Sequence, residues 1–428
     1  MTDPRRLVRP PPLDGVALTV QPAPDRSGSV AMTFVAPAGS AYDPERGRGT
    51  ARMTLRAMTA AAGPWNHHDL GRRLDALGAS LSAHLAPESA EVTIVGPSGL
   101  WREIAETLVA IVQRPRWDRS DIARIRRALE ERALRERTVP APRAEIELIR
   151  QVFPRGHPYH ESGTPPPAEI RRIRPRDLIA FWERHYGADG ALLVVTGAGR
   201  PETVRRAFAR LLTGRRPGPA PPRPGRLDRT VADRRTVEIP MPERSQVELR
   251  VGGPSLPRSD AAYPALFLAE QILGGHPPLG RLFQRVRERE GLAYHTDARL
   301  EAMRWAGYWV VSAGCAPANR LRALRLLTEE VERLASEDPP ASELATLRES
   351  AIGEMPLLLE TTEGAHELAV DAAYHGLEDD HWIVWPARLR AIRPREVRET
   401  AARGLSAARS VRVVAGDLTG RARPGGSR

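Results

Sequence analysis

The chain has 428 residues, 41% of them apolar and 27% charged, and 64 basic side chains against 53 acidic ones give a formal net charge of +11. That composition supplies ample material for packed cores and excludes a disordered, collagen-like or disulfide-built protein. Cys315 is the single cysteine, which excludes an internal disulfide and a cysteine-based zinc knuckle and points to a reducing, cytoplasmic setting.

The opening basic residues are followed by no apolar run of signal-peptide type, and no stretch approaches the ~20 apolar residues of a membrane-spanning helix, so no export and no membrane partner is expected. Val16 to Val20 and Val30 to Val35 read as strands, and a helical pattern runs from about Gly49 to Ala62. A second helix, His67 to Leu77, leads to strand patterns at Ala79 to Leu85 and Glu91 to Val95, then helices from Leu100 to Val112 and Arg119 to Arg137. Pro175 pre-sets the first turn of a helix reaching Tyr186, and Leu192 to Val195 is a buried strand ending at Gly197.

Residues 214 to 227, a Pro/Gly/Arg run, can form neither helix nor strand and read as a semi-rigid linker. Beyond it come strands at Thr236 to Ile239 and Gln246 to Val251, then a helix from Ala261 to Ile272. After Gly274 and Gly275 a helix runs through Arg289, followed by strands at Tyr294 to Leu300 and Tyr308 to Ser312 and helices at Ala318 to Ala335 and Ser342 to Leu359. The two parts repeat each other. Ile173-Arg174-Pro175-Arg176-Asp177-Leu178 recurs as Ile392-Arg393-Pro394-Arg395-Glu396-Val397, and Val194-Val195-Thr196-Gly197 recurs as Val413-Val414-Ala415-Gly416, both 219 positions later. The expected fold class is α+β, with two homologous halves at 1–213 and 233–428 joined by a linker at 214–232, each a mixed sheet with helices on one face.

All basic residues are arginine, since the chain contains no lysine. Schiff-base chemistry and the P-loop lysine are therefore excluded. The arginines are interspersed with Glu and Asp, aromatics make up only 5%, and no nucleic-acid-binding signature is present, so no nucleic-acid partner is expected. His67-His68 are adjacent and do not share a helical face, and His157 and His160 flank Pro158 in a loop, so neither pair reads as a metal site. Gly96-Pro97-Ser98-Gly99 lacks the spacing of a nucleophile elbow, and the Gly274, Gly275, Gly280 turn lacks the βαβ context of a phosphate cradle.

From Ile272 to Tyr294 the chain reads ILGGHPPLGRLFQRVREREGLAY. This resembles the C-terminal half of pitrilysin/insulinase-type (M16) zinc metallopeptidases, and the resemblance extends through Ala38-Gly39-Ser40, Gly49-Thr50-Ala51, Leu74 to Ser80 and His157-Pro158-Tyr159. It implies two α/β-roll halves of the LuxS/metallohydrolase-like kind. It also implies a zinc helix carrying His-x-x-Glu-His after Gly49-Thr50-Ala51, but the three positions hold Arg52, Leu55 and Arg56. A guanidinium has no lone pair and stays protonated, so it cannot ligate zinc, and leucine cannot serve as the general base. Glu130 or Glu131 falls near the family's third ligand and is expected to pair with Arg52 or Arg56 or to stand as a solvated charge.

Arg287 and Tyr294 match the family's Arg/Tyr pair, which the resemblance implies donates hydrogen bonds to substrate carbonyls and the developing oxyanion. An erased zinc helix beside an intact Arg/Tyr pair is similar to the non-catalytic member of a two-subunit M16 peptidase. Such a chain holds no metal or other cofactor. It would pair with a partner bearing His-x-x-Glu-His and zinc, acting on a peptide that adds as a strand to the edge aligned with Leu81 to Leu85. A homodimeric pseudoenzyme that binds peptides, and an active enzyme with a relocated metal site, are the competing expectations.

Overall fold

The computed structural model describes residues 6–22, 28–160, 163–187, 189–213, 234–275 and 278–419. The expected linker at 214–232 lies outside the described residues. The first part of the chain runs β1 (Val16–Gln21), β2 (Ser29–Ala36), α1 (Thr50–Met58), α2 (His67–Ala76), β3 (Ser80–Leu85), β4 (Ala90–Pro97), α3 (Trp101–Gln113), α4 (Arg119–Thr138), α5 (Pro140–Val152), α6 (Pro167–Ile170), α7 (Pro175–His185), β5 (Ala191–Thr196) and α8 (Pro201–Leu211). The second runs β6 (Arg235–Pro240), β7 (Val247–Ser255), α9 (Tyr263–Glu270), β8 (Ala293–Ala302), β9 (Gly307–Cys315), α10 (Arg320–Ser336), α11 (Ala341–Leu359), α12 (Thr362–Tyr374), α13 (His381–Ala391), α14 (Pro394–Gly404) and β10 (Val411–Gly416). No helix among the described residues is long and apolar enough to cross a membrane.

The strands form two five-stranded sheets, β1-β5-β2-β4-β3 and β6-β10-β7-β9-β8. Each is mixed: β1 runs parallel to β5 and β6 parallel to β10, and the remaining pairs are antiparallel. The internal repeat thus reappears strand for strand. Its first motif is a helix start used twice: Pro175 and Pro394 open α7 and α14, and the backbone N–H groups of Arg174 and Arg393 donate to Asp177 Oδ2 (2.7 Å) and Glu396 Oε2 (2.9 Å). Its second motif is a close strand crossing. Gly197 (φ 89°) and Gly416 (φ 146°) sit where a Cβ would lie 2.5 Å from Ser29 O and 2.7 Å from Gln246 O, so only glycine fits.

The expected helix from Gly49 to Ala62 is shorter, because α1 ends at Met58 and Thr59 turns its hydroxyl onto Leu55 O (2.9 Å). Of the helices not expected from the sequence, which are α5, α6, α8, α12 and α13, α5 and α12 complete the layers. The described residues divide into two compact units, one from 1–134, 164–224 and 354–385, the other from 135–163, 225–353 and 386–428. Each sheet stays within one expected half, whereas α5 and α12 cross that division.

In the first unit, Val30, Met32, Phe34, Leu193 and Val195 point to one face of the sheet, where they pack with α1, α3 and α8 residues in the larger core. The alternate residues Val35, Leu192 and Val194 point to the other face and pack against Ala369 and Ala372 of α12. The small side chains let the helix approach the strands closely. His366 is 3% exposed and anchors the contact, with Nε2 2.6 Å from Thr33 Oγ1 and Nδ1 2.9 Å from Thr196 Oγ1. In the second unit, Ala144, Leu148 and Val152 of α5 pack on Tyr308, Val310, Val411 and Val413. Its polar anchor is Glu145, which accepts from Arg250 Nε (3.1 Å) and Arg299 Nη2 (2.9 Å). Arg250 also reaches Glu248 Oε2 at 2.9 Å, so its buried charge is neutralised from two sides.

Burial pulls His366 down to about 3 and both His157 and His185 to about 4. These rings are neutral when folded and take up protons on unfolding below pH 6.5, so stability is full above that pH and falls as pH drops toward 4. Urea unfolding should show His366 alone accounting for about 2 kcal/mol lost between pH 6.5 and 5. A His366→Gln variant should be less stable at pH 7.5 yet show a shallower pH slope; an unchanged slope would exclude His366 as a titrating group.

Candidate functional site

The N-terminus of α1 is held by Asp43, whose carboxylate accepts from Gly49 N (Oδ2) and Ala51 N (Oδ1), both at 2.7 Å. Desolvation pushes this carboxyl up to about 7, against the two backbone donors and the nearby Arg52 and Arg48, which pull it down. Ala51, Met53, Leu55, Ala57 and Met58 bury one side of the helix. Arg52 and Arg56 share the other side one turn apart, Arg52 half-buried and Arg56 exposed. Leu55 is 2% exposed and belongs to the core. The residues do not fit zinc: the paired positions offer two cations, and the base position is a buried leucine.

Glu130, on α4, accepts from Arg171 Nε (3.1 Å) and Nη2 (2.9 Å), so its partner is Arg171 rather than the expected Arg52 or Arg56. Glu131 is exposed. His67 opens α2 with Nδ1 3.2 Å from Ala60 O, and His160 places Nδ1 2.6 Å from Phe153 O. His157 is 4% exposed rather than lying on an open loop: it stacks on Phe153 at 4.4 Å and accepts from Tyr159 N at 3.1 Å. Among the described residues, no group of three or more His, Cys, Asp or Glu side chains could hold a metal ion.

The second unit carries the Arg/Tyr pair. Gly274 and Gly280 pack backbone to backbone, since a Cβ on Gly280 would lie 2.6 Å from Gly274 Cα. Gly275 leaves its Cβ position to the carboxyl of Glu270, which would be 2.3 Å away. Burial pushes that carboxyl up to about 8. The turn is thus a packing device. Arg287 follows on the π-helical segment Phe283–Arg289, exposed, with its guanidinium 5.0 Å from the Phe283 ring centre.

Tyr294 is 57% exposed, and backbone geometry explains why. The pairing of β8 with β9 passes from Ala293↔Cys315 to His295↔Gly314, leaving Tyr294 as the extra residue of a β-bulge. His295 lies over Gly314, where a Cβ would come 2.3 Å from its Cε1, and reaches Glu248 Oε2 at 3.5 Å. The bulge therefore turns the Tyr294 ring out of the strand alternation and into solvent. Sequence reasoning found the tyrosine; the bulge and the Gly314 gap that seats His295 were not visible in it.

Residues 172–351 match the protein family described as Peptidase M16 inactive domain. Residues 172–351 are thus similar to the M16 inactive domain. An uncharacterized zinc protease of Streptomyces coelicolor is 32% identical over 190 residues, 42% of this chain and 40% of that relative. An uncharacterized zinc protease of Mycobacterium tuberculosis is 28% identical over 302 residues, 68% of this chain and 66% of the relative. The match thus spans less than half of the Streptomyces protein and about two thirds of the mycobacterial one. The crystal structure of a peptidase M16 inactive domain from Pseudomonas fluorescens superposes with TM-score 0.88 at 18% identity, covering 96% of this chain and 98% of that one. The fold is that of M16 peptidases.

Because α1 offers Arg52, Leu55 and Arg56 and no imidazole or carboxylate at these positions, thermal melting should be identical with added zinc, with chelator and with neither, and protein purified without chelator should hold no stoichiometric zinc by elemental analysis. A chelator-dependent fall in Tm would overturn the reading of Arg52, Leu55 and Arg56.

Proposed function

We propose that this chain is a catalytically inert M16-like subunit that completes a zinc peptidase in trans. The observation that carries the reading is the contrast between its two units. The helix that would bind metal presents Arg52 and Arg56, whereas the Arg/Tyr pair keeps both side chains in solvent, with Tyr294 turned out by a bulge. Turned outward in this way, the Tyr294 hydroxyl is accessible to an acceptor from outside the chain.

The partner in this reading is an M16-type chain with His-x-x-Glu-His, which supplies zinc and the general base. This chain supplies donors. The Tyr294 hydroxyl and the Arg287 guanidinium are both hydrogen-bond donors, so together they stabilise negative charge on a scissile carbonyl oxygen without contributing a base. The substrate is an extended peptide that pairs with a free strand edge of the partner. In this chain the equivalent strand, β3, is itself at a sheet edge, and its residues alternate between exposed and half-buried. The assignment of zinc, partner and peptide rests on the family likeness together with these two sites.

Mixing the chain with such a partner should give peptide hydrolysis that neither shows alone. Arg287→Ala and Tyr294→Phe should each lower turnover by ~10²-fold while leaving association unchanged in analytical ultracentrifugation. Wild-type turnover in both variants would remove the assigned roles. A stable homodimer that binds peptides and gains no activity from any such partner would favour the non-hydrolytic pseudoenzyme.

A further inference from the structure

A cleft of about 610 Å³ lies beside the N-terminus of α1, lined by the loop leading into that helix and by α7. Its volume falls in the range of small-ligand sites. One wall is apolar: Ile173 and Phe181 are buried, and Tyr42 stands 5.2 Å from the ring of His185. His185 itself is 4% exposed and stacks on Phe181 at 4.3 Å.

The tautomer of His185 follows from its partner. Nδ1 lies 3.0 Å from Pro37 O, and a carbonyl only accepts, so Nδ1 carries the proton. Burial keeps the ring neutral at ordinary pH. Nε2 is therefore a lone-pair acceptor on a ring that lines the cleft, and it makes no hydrogen bond among the described residues.

The acidic groups of the cleft are already engaged. Asp43 accepts from Gly49 N and Ala51 N, and Asp177 accepts from Arg174 N. The cationic groups are not: Arg46, Arg172 and Arg184 are exposed lining residues with no carboxylate partner among the described residues. The cleft thus combines an apolar wall, one buried acceptor and a cationic rim. A phosphate lacks the apolar body, and a fatty acid lacks a donor for Nε2.

We propose that this cleft binds the carboxyl-terminal residue of a peptide ending in an apolar side chain. The side chain lies against Tyr42 and Phe181, its amide N–H donates to His185 Nε2, and its terminal carboxylate meets Arg172 and Arg184. The cleft belongs to the first unit and Arg287 and Tyr294 to the second, and the proposal does not depend on their role.

Isothermal titration of the full chain with N-acetyl-L-phenylalanine and with its C-terminal amide tests this directly. The acid should bind ~10-fold or more tightly than the amide. Arg172→Ala combined with Arg184→Ala should abolish that preference with Tm unchanged, because both side chains are exposed. 3-Phenylpropionate, which has no N–H, should bind more weakly than the acetylated acid, and His185→Phe should remove that difference. Equal affinity for acid and amide, or no binding of either at millimolar concentration, overturns the proposal. The comparison of ligands on the wild-type chain stands even if His185→Phe fails to fold.

Discussion

A sheet whose strands are apolar on both faces must be covered twice, and everything else in this molecule is arranged around that requirement. β2 and β5 are buried almost throughout, as are β7 and β9. Helices close in sequence to each sheet cover one face. The second face is covered by a helix taken from the opposite half of the chain, α12 for the first sheet and α5 for the second. Each covering helix brings polar anchors, His366 foremost on α12 and Glu145 on α5, so its seat is specified by hydrogen bonds as well as by shape.

Much of this was legible in the sequence. The strands announced themselves through β-branched runs, and the repeated Ile-Arg-Pro-Arg-acid motif marked two helix starts that prove to share one cap. The covering helices were not legible, for physical reasons. α5 opens with Pro140-Ala141-Pro142, which reads as a breaker although proline is tolerated in a first helical turn. α12 mixes Gly364, His366 and small alanines, so it lacks the apolar stripe of an ordinary surface helix. Thr33 and Thr196, hydroxyls within otherwise apolar strands, were the trace of α12 in the sheet, because a buried hydroxyl implies a partner.

At the candidate site the sequence was most informative where chemistry forbids something. Arginine cannot coordinate a metal at the two α1 positions that the resemblance would give to ligands, whatever the backbone does, and the structure adds that Leu55 is part of the core. Glu130 pairs with Arg171 instead of the expected Arg52 or Arg56, a choice set by which guanidinium α4 faces and invisible to spacing alone. Tyr294 gains meaning from the bulge: in a regular strand it would alternate inward or outward with its neighbours, whereas here Tyr294 and His295 are both exposed in succession.

The reciprocal covering has a consequence for origin. A lone copy of the repeat would leave one sheet face bare, and two identical copies could remedy this only by trading the equivalent helix about a two-fold axis. In the present chain each sheet receives its covering helix from the other copy, α12 on the first sheet and α5 on the second. Within one polypeptide the two copies need not stay identical, since each covering helix has to fit only the one sheet it lies on.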